Sequence, residues 1–229
     1  WYANRTTGVH EAPYPHRMQA TEAGVCDRLD FLCQYPVEKG NAAADLEWPR
    51  RGPVLHNLPA GNWDQGERGI ACLPDRVGEF QEGVGRAIGY AKALKVPQLN
   101  CLVGIPSAST ARDKTFVTIV DNLRFAADAL KREGIRLLVE PCNRFDIPGF
   151  ALNRSSEGLD VIRAVGSDNL FLQYDIYHMQ RMEGELAATI ERNLASIGHV
   201  QLADNPGRHE PGTRELNYAF LFSLLARID

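Results

Sequence analysis

The sequence predicts a parallel α/β barrel of the (β/α)8 type, formed as one unit over residues 1–229 and one strand short of closure. Three observations predict it. Short apolar runs alternate with segments whose apolar residues recur at helical spacing, the pattern of a parallel sheet with helical crossovers. Several runs end abruptly in polar residues capable of chemistry, and barrels of this type build their sites at the carboxyl ends of their strands. Seven strands can be counted in 229 residues, whereas a complete barrel has eight and takes about 250 residues.

In chain order, Trp1–Asn4 is a weak strand candidate, and His16–Ala23 reads as a short helix stopped at Gly24. The second strand is expected over Leu29–Tyr35, a helix over Asn41–Trp48 broken early by Pro49, and the third strand over Val54–Leu58. A long loop, Pro59–Pro74, follows; loops of this length inside a compact unit are usually functional. Phe80, Val84, Ala87, Ile88, Ala91 and Leu94 then mark a helix, even though Gly78, Gly83, Gly85 and Gly89 share the segment. Gly83-Val84-Gly85 falls in mid-helix and not after a strand, so it is no dinucleotide loop. Gln98–Val103 is the fourth strand, Val120 to Leu130 a helix stopped at Gly134, and Ile135–Val139 the fifth strand, ending at Glu140-Pro141. Leu159, Ile162 and Val165 give the next helix, stopped at Gly166, and Leu170–Tyr174 the sixth strand, ending at Asp175. Leu186, Ile190, Leu194 and Ile197 read as a helix with Gly198 as its stop; Ile197–Leu202 is the seventh strand, and Tyr218 to Ile228 a closing helix.

Composition narrows the partners. A net charge of −4 disfavours nucleic acid and polybasic membrane contact. No apolar run approaches the roughly 20 residues of a membrane span. Five cysteines without regular spacing suit reduced thiols, with Cys33, Cys101 and Cys142 expected in the core. With no secretory layout at the amino terminus, the expectation is a cytoplasmic protein acting on a small molecule, with homo-oligomerisation left open. No G-x-S-x-G elbow and no Cys–His pairing suggests a nucleophile.

Glu140, Asp175 and Gln201 stand at or near the ends of successive predicted strands, separated by 35 (175 − 140) and 26 (201 − 175) residues. Two carboxylates and an amide oxygen form a hard donor set, suited to Mg²⁺ or Mn²⁺ and offering zinc no thiol. His178 reads as a donor to bound substrate or as a satisfied loop histidine. Arg208 and His209, after the seventh strand, suit a substrate carboxylate or developing oxyanion, and Arg68, in the long loop, is a weaker candidate of the same kind.

The stretches VEP at 139–141, NLFLQYDIYHMQRMEGEL at 169–186 and HVQLADNPGRHEPGTRELNY at 199–218 resemble the hydroxypyruvate isomerases, of the xylose-isomerase-like TIM-barrel superfamily. NLPAGNWDQGERG at 57–69 resembles the same family, and FLCQYP at 31–36 more loosely. The resemblance implies metal-dependent interconversion of hydroxypyruvate and tartronate semialdehyde through an enediolate. It implies metal ligands at Glu140, Asp175 and Gln201, a substrate contact at His178, and proton transfer by Glu140. The family's second glutamate belongs to strand eight, and the 229 residues reach Asp229 before it. Asp30 stands where the family tends to have Glu, and RRGPV interrupts the join into the third strand. These departures lead to the expectation of a carboxyl-terminally incomplete copy, with a gap between the first and seventh strands. Two other readings stay open: a related keto-sugar or sugar-acid isomerase or epimerase, and an inactive sugar-acid-binding relative.

Overall fold

A computed structural model of the chain describes residues 2–3, 29–31 and 53–228. The helices expected at 16–23 and 41–48, and Cys33, lie outside the described residues. The seven expected strands are β1 (Tyr2–Ala3), β2 (Leu29–Phe31), β3 (Pro53–Asn57), β4 (Gln98–Cys101), β5 (Arg136–Val139), β6 (Leu170–Asp175) and β7 (Ile197–Leu202). All pairings are parallel, in the order β1-β7-β6-β5-β4-β3-β2. The expected gap between the first and seventh strands is not there. β1 pairs with β7, Tyr2 opposite Gln201 and Ala3 opposite Leu202, so the carboxyl end of β7 meets a backbone partner on that side.

Six helices are described: α1 (Val77–Leu94), α2 (Arg112–Arg132), α3 (Ser155–Val165), α4 (Ile176–Met182), α5 (Leu186–Asn193) and α6 (Tyr218–Ile228). Gly166 ends α3 at φ 69°, and Gly134 follows α2 at φ 68°, the left-handed conformation in which glycine carries no steric penalty. Two expectations are corrected. Gly198 is not a helix stop: α5 ends at Asn193, a single 3₁₀ turn follows, and Gly198 lies within β7. A side chain there would meet Phe171 at 2.7 Å and Leu138 at 2.8 Å, so close packing against the neighbouring strands requires glycine. α4 was not foreseen, because its apolar face is too short to show a period. It starts because the Asp175 side chain caps it, accepting from the His178 backbone N–H at 3.1 Å.

The two faces of the sheet differ. Leu99, Cys101, Leu137 and Val139 join Val84, Ala87, Leu123 and Leu130 in the main core between sheet and helices. Alternate residues point the other way: Gln98 and Asn100 on β4, Leu138 on β5, Gln173 and Asp175 on β6, His199 and Gln201 on β7. Leu138 packs with Val54, Leu55 and Phe171 at the amino-terminal end of this inner face, and the guanidinium of Arg136 sits 5.2 Å from the Phe171 ring. Towards the carboxyl ends the inner face becomes polar and stays buried, with Asn57, Asn100, Glu140, Gln173, Asp175 and Gln201 all 7% exposed or less. That change from apolar base to polar mouth locates the site. Among the described residues no helix is long and apolar enough to cross a membrane.

Candidate active site

Glu140 follows the last residue of β5, Asp175 ends β6, and Gln201 lies opposite Asp175 in the β6–β7 ladder. Opposed residues of a ladder share a face, so the three expected ligands come from adjacent strands of one barrel mouth. Glu140 is held by Asn100, whose Nδ2 donates to Oε2 at 2.7 Å and also to Asn57 Oδ1 at 3.0 Å. Asn100 Oδ1 and Gln173 Oε1, both buried, meet no protein donor. They are acceptors facing the polar mouth beside Glu140, where a ligand hydroxyl, water or cation could satisfy them.

Electrostatics separates the two acids. Burial and the neighbouring Asp175 charge push the Glu140 carboxyl up to about 8, against opposing effects of Arg208, Asn100 and Gln173. Asp175 is equally buried, which pushes its carboxyl up, but His178, Arg208 and two backbone amides outweigh burial and hold it below the usual carboxylate range. One acid is therefore poised to take up or release a proton near neutrality, and the other stays ionised.

His178 lies in the first turn of α4, buried, and not in a loop as one reading of the sequence had it. Its Nε2 is 3.8 Å from Glu140 Oε1 and 3.9 Å from Asp175 Oδ2. On the other side of the ring, Nδ1 lies 2.7 Å from Asn143 Nδ2. Burial pulls the imidazole down to about 4, although Asp175 acts in the opposite sense. Asn143, Asn100 and Gln173 were missed in the sequence. The N-R-F-D run three residues beyond Glu140 is the sort of signal that could have found Asn143, since asparagine side chains often organise the turn that follows them.

Arg208 donates to Asp175 Oδ2 at 2.9 Å. It reaches there from the 203–217 loop, at φ 56°, and the loop is gathered around Asp204. That buried carboxylate accepts from the backbone N–H groups of Asn205, Gly212 and Arg214 at 2.9 Å each, and Leu216 at 3.0 Å. His209 bonds back to Asp204 through its carbonyl at 2.7 Å, and its ring lies against Gly207, where an added Cβ would be 2.5 Å from Nε2. Arg68 stacks over Trp63 with its guanidinium 3.9 Å from the ring centre and donates to the carbonyls of Trp63 and Glu67 at 3.0 and 2.7 Å; it ties its own loop together. That loop is fastened to the barrel by two glycines. A Cβ at Gly69 would lie 1.9 Å from the Leu102 carbonyl oxygen, and one at Gly104 would lie 2.2 Å from the Gly69 oxygen.

Cys101 and Cys142 are buried, as expected for core thiols. Cys142 is also near the chemistry: its sulfur and ligand atoms of Glu140 and His178 lie within 4.8 Å of one another.

A mouth of buried carboxylates, amides and an imidazole on a parallel barrel belongs to a known class. Residues 42–229 match the xylose isomerase-like TIM barrel family, and the chain belongs to it. It is 54% identical to hydroxypyruvate isomerase of Escherichia coli over 201 residues, covering 88% of this chain and 78% of that protein. It is 36% identical to the 2-oxo-tetronate isomerase of Cupriavidus necator, covering 97% of this chain and 86% of the other. A solved structure described as AP endonuclease, family 2, from Brucella melitensis superposes with a TM-score of 0.91 at 37% identity, covering 99% of this chain and 87% of that one. The resemblance read from the barrel-mouth stretches is borne out: the chain is an isomerase of the hydroxypyruvate isomerase family.

Proposed function

We propose that the chain interconverts hydroxypyruvate and tartronate semialdehyde through an enediolate, with Mg²⁺ or Mn²⁺ held by Glu140, Asp175 and Gln201. The observation that carries this reading is the pair of buried acids at adjacent strand ends, Glu140 held by Asn100 and Asp175 by Arg208, with Gln201 opposite Asp175. The donor set fits a hard cation: it is all oxygen, and two further buried amide oxygens nearby lack protein donors. When bound, the metal supplies Lewis acidity to the substrate's oxygens.

The chain's own residues supply the rest. Glu140 accepts or returns the proton next to the carbonyl. A carboxylate beside the reacting carbon can act as base in one direction and, once protonated, as acid in the other. Asp175 stays ionised and holds the Arg208 guanidinium at the mouth, where its charge suits a substrate carboxylate. His178, with Nε2 3.8 Å from Glu140 Oε1, stands where a ring nitrogen can meet a substrate oxygen. A second reading, isomerisation of a four-carbon 2-oxo acid, is supported by the Cupriavidus relative; turnover measured on both acids separates the two.

Glu140→Gln tests the site. It keeps shape but removes the proton-transfer group, and turnover should fall at least about 100-fold. Near-normal turnover would overturn the assignment. Titration with Mn²⁺ tests the ligands: saturable binding should weaken in Asp175→Asn, and binding indifferent to that change would show that the ligands lie elsewhere.

A further inference from the structure

We infer that Asn143 is a positioning residue: it holds His178 as the neutral Nε2–H tautomer, so the ring enters the site as a hydrogen-bond donor, not as a base or metal ligand. The inference rests on the isomerase reading for what the donor meets, and on geometry alone for the tautomer.

Two donors face His178 Nδ1. The Asn143 backbone N–H, 3.3 Å away, can only donate. The Asn143 side chain approaches at 2.7 Å, and its orientation is fixed by what lies behind it. Its Oδ1 accepts from the backbone N–H groups of Phe145 at 3.1 Å and Asp146 at 2.9 Å. Turning the amide over would point NH₂ at two N–H groups. The second Nδ2 hydrogen goes to Asp146 Oδ2 at 2.9 Å. Asp146 is itself held by the Tyr177 hydroxyl at 2.8 Å and by Arg181. All four hydrogen-bonding positions of the buried amide are thus filled, and it presents N–H to the ring.

An imidazole whose Nδ1 accepts carries its proton on Nε2. A doubly protonated ring would set a third N–H against two donors. Nε2 is 3.8 and 3.9 Å from the nearest oxygens of Glu140 and Asp175. Those distances are too long for direct hydrogen bonds, so the proton points into the space between the acids. A substrate oxygen there would receive a fixed neutral donor as its charge grows, and the proton would stay on the ring. The same tautomer removes the lone pair that a metal would need. In the cluster of Glu140, Cys142 and His178 the ring then offers a donor and no ligand atom.

Long-range ¹H–¹⁵N correlation of the histidine side chains tests this on the full chain. Spectra are taken above pH ~6.5, where a free imidazole is mostly neutral, and His178 is assigned by its loss in His178→Gln. The expected wild-type pattern is neutral Nε2–H, unchanged when Zn²⁺ is added. Asn143→Asp keeps the acceptor for the two backbone amides but offers Nδ1 a carboxylate; it should move the proton to Nδ1. It should also lower kcat about 100-fold, the lower end for loss of one oxyanion donor, with KM changed less. Asn143→Ser, which withdraws the amide from Nδ1 and its oxygen from the Phe145 and Asp146 backbone N–H groups, should give a mixture of tautomers. A wild-type Nδ1–H or imidazolium pattern would overturn the inference, as would an Asn143→Asp pattern like wild type, or loss of the Nε2 proton on adding Zn²⁺. Expected spectra from a protein inactive on hydroxypyruvate would sink the isomerase reading and leave the tautomer lock in place.

Discussion

Two loops bring functional side chains to the barrel mouth, and each is folded around one buried polar residue that collects backbone N–H groups. Asn143 collects two, from Phe145 and Asp146; Asp204 collects four, from Asn205, Gly212, Arg214 and Leu216. The two residues differ in what remains. The carboxylate has only acceptor capacity, and the loop takes it. Arg208 is therefore placed by the shape of its loop. The amide also has two donors, and one touches the His178 ring directly. At Asp204 the acid's oxygens serve the loop, whereas at Asn143 the amide's donors also reach a neighbouring ring and set where its proton sits.

Asp204→Ala should do the most damage. It strips four backbone donors of a charged acceptor, and buried unsatisfied groups cost about 1–3 kcal/mol each. Even with water replacing part of that loss, thermal or urea unfolding should show a loss of several kcal/mol, with activity lost through Arg208. If the variant is as stable as wild type, the loop does not depend on Asp204. The charge also has a pH signature. Burial raises the Asp204 carboxyl, but the backbone N–H groups of Leu216, Arg214, Asn205 and Gly212 outweigh it and hold it below the usual value. Its stabilisation is therefore fully present above the unfolded value of about 3.9 and is lost as pH falls through the lower folded value. Asp204→Asn should flatten that acid limb of the stability curve; an unchanged limb would assign it to other acids.

Arg208→Gln is expected next in size. Losing a charged hydrogen-bonding partner costs about 1.5–3 kcal/mol, or roughly 10- to 150-fold, and it should appear mainly in KM for a carboxylate substrate. A change confined to kcat would move Arg208 from substrate binding to the chemical step. Cys142→Ser should matter least. If His178 is a donor, the thiol has no metal to share, and the relative response to Mg²⁺, Mn²⁺ and Zn²⁺ should shift by less than about threefold, well under the 1.4 kcal/mol of a tenfold change. A marked loss of Zn²⁺ binding would make Cys142 a ligand and break the comparison.

Much of the frame was legible in the sequence because a parallel barrel repeats its signal. β4, β5, β6 and β7 each appear as an apolar run followed by a glycine, a proline or an acid. Glu140, Asp175 and Gln201 could be placed because strand ends are where such runs stop. Asn143 and Asp204 were harder. Each acts on the backbone of its own loop, and hydrogen bonds to backbone N–H leave no periodic trace. α4 escaped for a related reason: one cap, at Asp175, and seven residues are too little for an apolar stripe. Gly198 misled because a glycine after an apolar helical series ends a helix far more often than it relieves crowding between strands.

The backbone contact at Gly69 and Gly104 makes the long loop a reporter on the barrel. Next to it, the Cys72 amide donates to the Val103 carbonyl at 2.9 Å. That proton can exchange with solvent only if the loop parts from the end of β4. Its exchange rate therefore meters how often this side of the mouth breathes. A rate as slow as that of the β4–β5 amides would mean the loop is a fixed wall, and that traffic to the site enters past some other segment.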